Sequence, residues 1–307
     1  MVGLEQSVRE AVRVLRSMPA LNRPVIGSAR RVAVGARRFA DLLEKHGVPA
    51  GEVRVPLPNG QTMALWSDAR HGTAAQLWWH GWAGYEPESV VPWLELASTA
   101  DVVLDIGAHI GIFALIAAHA RPGIRVVAFE PMPRAFAALE GNARRNPGCD
   151  ITCVQAAVGD LTGQVRLYTD PSREYDMMAT VVRSDLPVAS SGHDASGDVR
   201  ELLVDQVRLD RWLESTDIER VDLIKIDVEG AEAAVLRGMG DVLERDRPDL
   251  IVEVLSDDAG AEVSRALSGL GYEHFLLTPA GPVPVAEVSR HACLNHLFTR
   301  RAHLKSS

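Results

Sequence analysis

The sequence predicts an α/β protein: a doubly wound parallel sheet preceded by a smaller helical and hairpin cap. Three observations carry this. From residue 101 onward, short and nearly continuous apolar runs alternate with helix-length segments, the mark of strands covered on both faces. The composition, 47% hydrophobic and 24% charged over 307 residues, is that of a globular chain with one large core and room for a small cap. The longest apolar run, Gly111–Ala118, is less than half the roughly 18 residues a bilayer span needs, so no membrane insertion is expected.

The elements follow in order. In the first 50 residues, Val8, Ala11, Val12 and Leu15 recur at helical spacing, and Phe39, Leu42 and Leu43 form a second stripe flanked by Arg37, Arg38 and Lys45. These read as cap helices that dock or pair two copies of the chain; a transit peptide or a membrane-surface helix is the alternative. Glu52–Val55 and Gln61–Trp66 read as a hairpin turned by Asn59-Gly60. Five of the six tryptophans fall between Trp66 and Trp93, as cap-to-core packing or as an aromatic lid in which Leu77–Tyr85 closes over a ligand. Residues 1–84 form the expected cap, and 85–307 the main domain.

Within that domain, strands are expected at Val102–Ile106, Arg125–Glu130, Ile151–Val158, Val221–Asp227, Leu250–Leu255, Tyr272–Thr278 and Asn295–Arg300. Helices are expected at Ile110–Ala120, Met132–Asn146, Ala231–Leu243 and Glu262–Gly269. Ser190–Asp198 is Gly/Ser-rich and reads as a mobile insertion.

Charge and cysteines narrow the function. The formal net charge of −9 argues against nucleic acid as the main partner. Residues 1–50 carry nine Lys or Arg against four Asp or Glu, so the acidity lies in the rest. Three cysteines build no disulfide framework, and no apolar leader follows Met1; a cytoplasmic protein acting on a small molecule is expected.

Ligands of open α/β sheets bind at the carboxyl ends of the strands. The first strand ends Asp105-Ile106-Gly107-Ala108-His109-Ile110-Gly111, where small residues let backbone approach a ligand. It is not G-x-G-x-x-G, since His109 takes the middle glycine's place. The second strand ends in Glu130, 19 residues beyond Gly111, where a carboxylate can accept both hydroxyls of a ribose. The fourth ends Lys225-Ile226-Asp227-Val228-Glu229-Gly230-Ala231-Glu232, three carboxylates and a lysine at one strand end. Glu232 alone reads as compensation of a helix dipole. Glu253 interrupts the apolar run of the fifth strand, so it faces a partner or a site.

Taken together, Val103–Gly111, Ala128-Phe129-Glu130-Pro131, Leu139 with Asn142 and Asn146, Ala156–Asp160, Leu209-Asp210, Lys225–Glu232, Arg247-Pro248 and Glu253 resemble the FkbM family of S-adenosylmethionine-dependent methyltransferases. Tyr85-Glu86-Pro87-Glu88 looks like that family's entry motif, and the resemblance spans about residues 85–300. It implies a class I methyltransferase (Rossmann-like) fold of seven strands with an antiparallel last hairpin. It implies S-adenosylmethionine as donor to a hydroxyl of a secondary metabolite or glycan. By position, Asp105, Gly107, Ala108 and Gly111 would line the methionine and ribose side. Glu130, with Pro131, would take the ribose hydroxyls, Asp160 would lie near the adenine, and Tyr85 would shield the sulfonium. His109 stands where the family commonly has asparagine.

A hydroxyl acceptor must lose its proton to a base or a metal. Candidate bases are His109, Asp227, Glu229 and Glu253; alternatively, Asp227 and Glu253 jointly hold Mg²⁺. His291-x-Cys293-x-x-His296 is read as packing around the last strand, not a metal site. The rival functions are an NAD-dependent oxidoreductase using the same ribose carboxylate, and a non-catalytic subunit that binds an adenosine ligand.

Overall fold

The computed structural model describes residues 50–68, 72–169 and 200–300. The expected cap helices of residues 1–49 and the Ser190–Asp198 insertion lie outside the described residues. The chain divides into two compact units, the second beginning at Pro87.

In the first unit, β1 (Ala50–Pro56) and β2 (Thr62–Asp68) pair antiparallel, with Pro56 opposite Thr62. The joining turn differs from the expected Asn-Gly pair. The Gly60 N–H donates to the Leu57 carbonyl at 3.0 Å, which puts Pro58 and Asn59 at the turn's centre. Proline presets that first central position. Gly60 alone in the loop takes a positive φ, 84°, and Asn59 Oδ1 accepts the Gln61 N–H at 3.1 Å. Then come α1 (Thr73–His80) and a short 3-10 turn, Gly81–Gly84. Trp78 and Trp79 meet edge to face at 4.8 Å, and Trp82 Nε1 donates to the Pro56 carbonyl at 2.8 Å.

The second unit opens with α2 (Pro87–Ala97), followed by β3 (Val102–Ile106), α3 (Ile112–Ala118), β4 (Arg125–Phe129), α4 (Pro133–Arg145) and β5 (Asp150–Val154). A small sheet has the order β6-β8-β7, from β6 (Ala157–Val158), β7 (Gly163–Thr169) and β8 (Arg200–Val207). The chain continues through α5 (Leu209–Glu214), β9 (Leu223–Ile226), α6 (Glu232–Gly238), α7 (Val242–Arg245), β10 (Asp249–Glu253) and α8 (Asp257–Leu267). It ends on β11 (Glu273–Thr278), β12 (Gly281–Pro284) and β13 (Asn295–Thr299).

The main sheet has the order β12-β11-β13-β10-β9-β3-β4-β5. β5, β4, β3, β9 and β10 run parallel, and β13, β11 and β12 are antiparallel. This is the Rossmann-like arrangement that the resemblance implies, with one difference: among the described residues the main sheet has eight strands rather than seven. β12 folds back on β11 as an added edge, Thr278 pairing with Gly281. The order reverses between β3 and β9, and a crevice forms at the carboxyl ends of strands at such a switch point.

Alternation along the strands sorts the two faces. Leu104, Ile106, Ile224, Ile226, Leu250 and Val252 join the helical core of α5 to α8. The opposite face carries Asp105, Lys225 and Glu253 among its apolar residues, and α3 packs there against β3 and β4. Trp93 belongs to this layer: it is fully buried, crosses Phe113 edge to face at 5.9 Å, and donates Nε1–H to the Phe113 carbonyl. It is therefore core, not lid.

Other boundaries shift for local reasons. α3 starts at Ile112 rather than Ile110, because Gly111 is its N-cap in the left-handed region. The expected strand 151–158 is two, since the chain leaves the main sheet after Val154 and Ala157 pairs with Gln206 of β8. The expected helix 231–243 breaks at Met239–Asp241.

Candidate active site

The loop after β3 is built around a close backbone approach. Gly107 has φ 85°, and a Cβ there would sit 1.8 Å from the Asp227 carbonyl oxygen. Only glycine lets the β3 and β9 ends come this near. The Gly107 and Ala108 N–H groups both donate to the Phe129 carbonyl, at 3.0 and 2.9 Å, tying the loop to β4. His109 has φ 52°, a region that His, Asn and Asp tolerate better than most side chains. From below, the buried Asn142 of α4 donates Nδ2–H to the Ile110 carbonyl at 2.9 Å.

Glu130 closes the neighbouring loop. It is 5% exposed, and its two oxygens accept the His109 and Met132 N–H groups, each at 2.8 Å. Burial pushes its carboxyl up to about 7 against these two bonds, and the nearby Asp105 and Asp227 add to the rise. Asp105, 1% exposed, lies beside Lys225 in the β3–β9 register. Pro131 follows Glu130 and leads into α4.

At the end of β9 the charges form one connected cluster. Lys225 is 2% exposed, with its Nζ 2.5 Å from Asp227 Oδ2 and 4.3 Å above the Phe113 ring. A buried ammonium needs such a carboxylate and ring. Burial works against the charge on Asp227. The Lys225 ammonium and a proton donated by Glu253 outweigh it and hold the Asp227 carboxyl below its usual range. Glu253, from the last position of β10, goes the other way: burial, then the Asp227 charge, push it up to about 9. At neutral pH the pair therefore holds one proton, on Glu253, and titrates as a unit.

Glu229 completes the edge, held at φ 55°. One oxygen from each of Asp227, Glu229 and Glu253 lies within 4.8 Å of the others, a spacing that a divalent cation could bridge. His109 is close enough to Asp227 for its charge to favour the ionised carboxylate.

The structure thus gathers Asp105, Gly107, Ala108, His109, Gly111, Glu130, Asp227, Glu229 and Glu253 at the switch point. Asp160 stands in another set of contacts: its carboxylate pairs with Arg237 Nε at 3.0 Å, and its carbonyl accepts from Arg208. The exposed residue at the carboxyl end of β5 is Gln155, next to the Val154 carbonyl that receives the Glu130 N–H. Tyr85 belongs to the first unit, where its N–H donates to the Trp82 carbonyl at 3.3 Å. Sequence reasoning missed Asn142 as the loop's support and Asn295, buried and paired in register with Glu253. A polar residue in an apolar helix face or strand was the available signal for both.

Residues 105–273 match the family model described as the methyltransferase FkbM domain. Among characterised proteins, 31-O-demethyl-FK506 methyltransferase FkbM of Streptomyces tacrolimicus is 32% identical over 191 residues, 56% of this chain and 72% of that protein. Hexuronic acid methyltransferase AglP of Haloferax volcanii is 29% identical over 57% of this chain and 64% of its own length. The 2-O-methyltransferase NoeI of Sinorhizobium fredii is 28% identical over 48% of this chain and 60% of its own. This chain spans less than two thirds of the last two relatives.

Proposed function

The chain belongs to the FkbM methyltransferase family, and from that premise we propose that it moves the methyl group of S-adenosylmethionine to a hydroxyl oxygen of a small-molecule acceptor. The observation that carries this reading is the meeting, at one switch point, of a bare-backbone glycine loop, a buried carboxylate and an acidic pair. Gly107 lets the β3 and β9 ends meet, and Glu130 can accept hydroxyls with lone pairs beyond its two backbone bonds, which fits the ribose of the donor. Gln155, rather than Asp160, is the polar side chain at the β5 end suited to the adenine. Oxygen as the target is supported by the printed names of two relatives, the 31-O-demethyl-FK506 methyltransferase and the 2-O-methyltransferase NoeI.

S-adenosylmethionine brings an already activated methyl group. The protein therefore aligns the acceptor and takes its proton. Asp227, kept ionised by Lys225, and Glu253, kept protonated by burial and by the Asp227 charge, form that acceptor-side pair. As the oxygen gains its methyl, its proton becomes strongly acidic, so even a weak carboxylate base suffices. Glu229 stands beside the pair to orient the hydroxyl. Lys225 already occupies Asp227 Oδ2, which favours the base reading over Mg²⁺.

Calorimetry with S-adenosylmethionine, S-adenosylhomocysteine and NAD tests the donor: the first two should bind, and NAD binding alone would overturn the reading. Once a hydroxylated acceptor is found by screening, Asp227→Asn and Glu229→Gln should each lower kcat by about 100-fold or more, with donor affinity little changed. EDTA should leave turnover intact; loss restored by Mg²⁺ would make these residues ligands instead. Near-full turnover in both variants would place the acceptor chemistry elsewhere.

A further inference from the structure

The turn between β9 and α6 carries Asp227 and Glu229 on irregular backbone. Glu229 sits at φ 55° and Gly230 at φ 102°. Glycine adopts this region freely, but glutamate does so at a cost that its surroundings must meet. Ala231, the N-cap of α6, brings no side-chain hydrogen bond to the helix start.

Glu232, the first residue of α6, is 1% exposed. Burial raises its carboxyl above the usual range, against the Gly230 N–H, which donates to Oε1 at 2.8 Å, and the Glu232 and Val228 N–H groups. Its Oε2 is buried with no hydrogen-bond partner, and among the described residues no ion pair includes Glu232. Helix-dipole compensation explains an exposed first-turn acid. It does not explain burying this one beside the Asp227 charge, at a desolvation cost that burial alone makes unfavourable. What the burial obtains is a carboxylate folded back onto the turn's own N–H groups.

We propose that Glu232 is a positioning residue that braces the Val228–Gly230 turn through its backbone and so aims the Asp227 and Glu229 carboxylates at the acceptor. The aiming rests on the functional reading above; the brace itself does not.

Two variants separate the roles, because both keep the volume of the side chain. Glu232→Met removes the acceptor oxygen and Glu232→Gln retains one. Amide hydrogen exchange by NMR should be at least ten-fold faster at Val228 and Gly230 in Glu232→Met, with β3 and β4 amides unchanged, and Glu232→Gln should restore protection. S-adenosylmethionine affinity should change less than three-fold by calorimetry.

Unchanged protection at Val228 and Gly230 in Glu232→Met overturns the brace, as does failure of Glu232→Gln to restore it. The parent protein supplies a check that needs no variant. Gly230 is exposed and lies in irregular backbone, yet its amide should exchange at least 100-fold slower than an unstructured glycine. Exchange at the unstructured rate overturns the brace even if Glu232→Met does not fold. A brace that holds while Asp227→Asn keeps full turnover leaves this inference standing and overturns the acceptor-side reading instead.

Discussion

Glu130 serves two purposes at once, and its substitutions separate them. Its oxygens hold the His109 and Met132 N–H groups, so Glu130→Ala strips the partner of two backbone donors as well as the proposed ribose contact. Glu130→Gln keeps the shape and one acceptor, and removes the charge while turning a donor amide toward the other N–H. Losing the charge-assisted ribose bonds should weaken S-adenosylmethionine binding by about 1.5–3 kcal/mol, measured by calorimetry. Since burial lifts the carboxyl to about 7, donor affinity should rise with pH between 6 and 8 in the parent and stay flat in Glu130→Gln. Gly107→Ala makes a sharper test of geometry. The added methyl meets the Asp227 carbonyl at 1.8 Å, so the loop and the β9 end must separate. A fall in melting temperature with loss of donor binding is expected; an unchanged melting temperature would mean the two loops are not packed this closely.

At the scale of elements, α4 supports the loop after β3. Asn142 supplies the hydrogen bond that the buried Ile110 carbonyl would otherwise lack. Asn142→Leu should cost about 1–3 kcal/mol in urea unfolding, the usual penalty for orphaning a buried polar group, and should weaken donor binding in parallel. Stability lost with donor affinity intact would confine Asn142 to the core. Seven of the main sheet's eight strands were legible as short, mostly apolar runs, with β3 at Val102–Ile106 as expected; β12, Gly281–Pro284, was not expected. The small sheet was not: β7 alternates only over Gln164-Val165-Arg166-Leu167, and in β8 the exposed Leu203 between Leu202 and Val204 blurs the pattern. In the site, Glu130 and Asp227 were legible as carboxylates at strand ends, and Glu253 as one interrupting an apolar run. Asp105 and Asp160 came by position from the resemblance; the partner of Asp160, Arg237, is 77 residues away, and spacing carries no trace of such a pairing.

For the whole molecule, two sets of buried groups pull its acid stability in opposite directions. His274 on β11 and His296 on β13 share a hydrogen bond of 2.8 Å, and His296 Nε2 lies 3.0 Å from the Ser289 carbonyl. His274 also stacks on Phe298, with centroids 4.7 Å apart. Burial, with neighbouring histidines adding to it, lowers both rings to about 4. In the unfolded chain they take up protons near 6.5, so the folded state loses stability as pH falls from about 6.5 to 4. Glu130 and Glu253 act oppositely. Raised to about 7 and 9, they bind protons in the folded state that the unfolded chain releases, so they gain stability as pH falls toward 4.5. The parent's melting temperature alone would mix these two effects; a variant isolates the first. His274→Phe retains a ring to stack on Phe298 and removes one titrating group. The stability of the parent relative to His274→Phe, read by urea unfolding at pH 7.5, 6.5, 5.5 and 4.5, should shrink steadily toward acid. A difference constant across that series would show that His274 is not held neutral between the last strands.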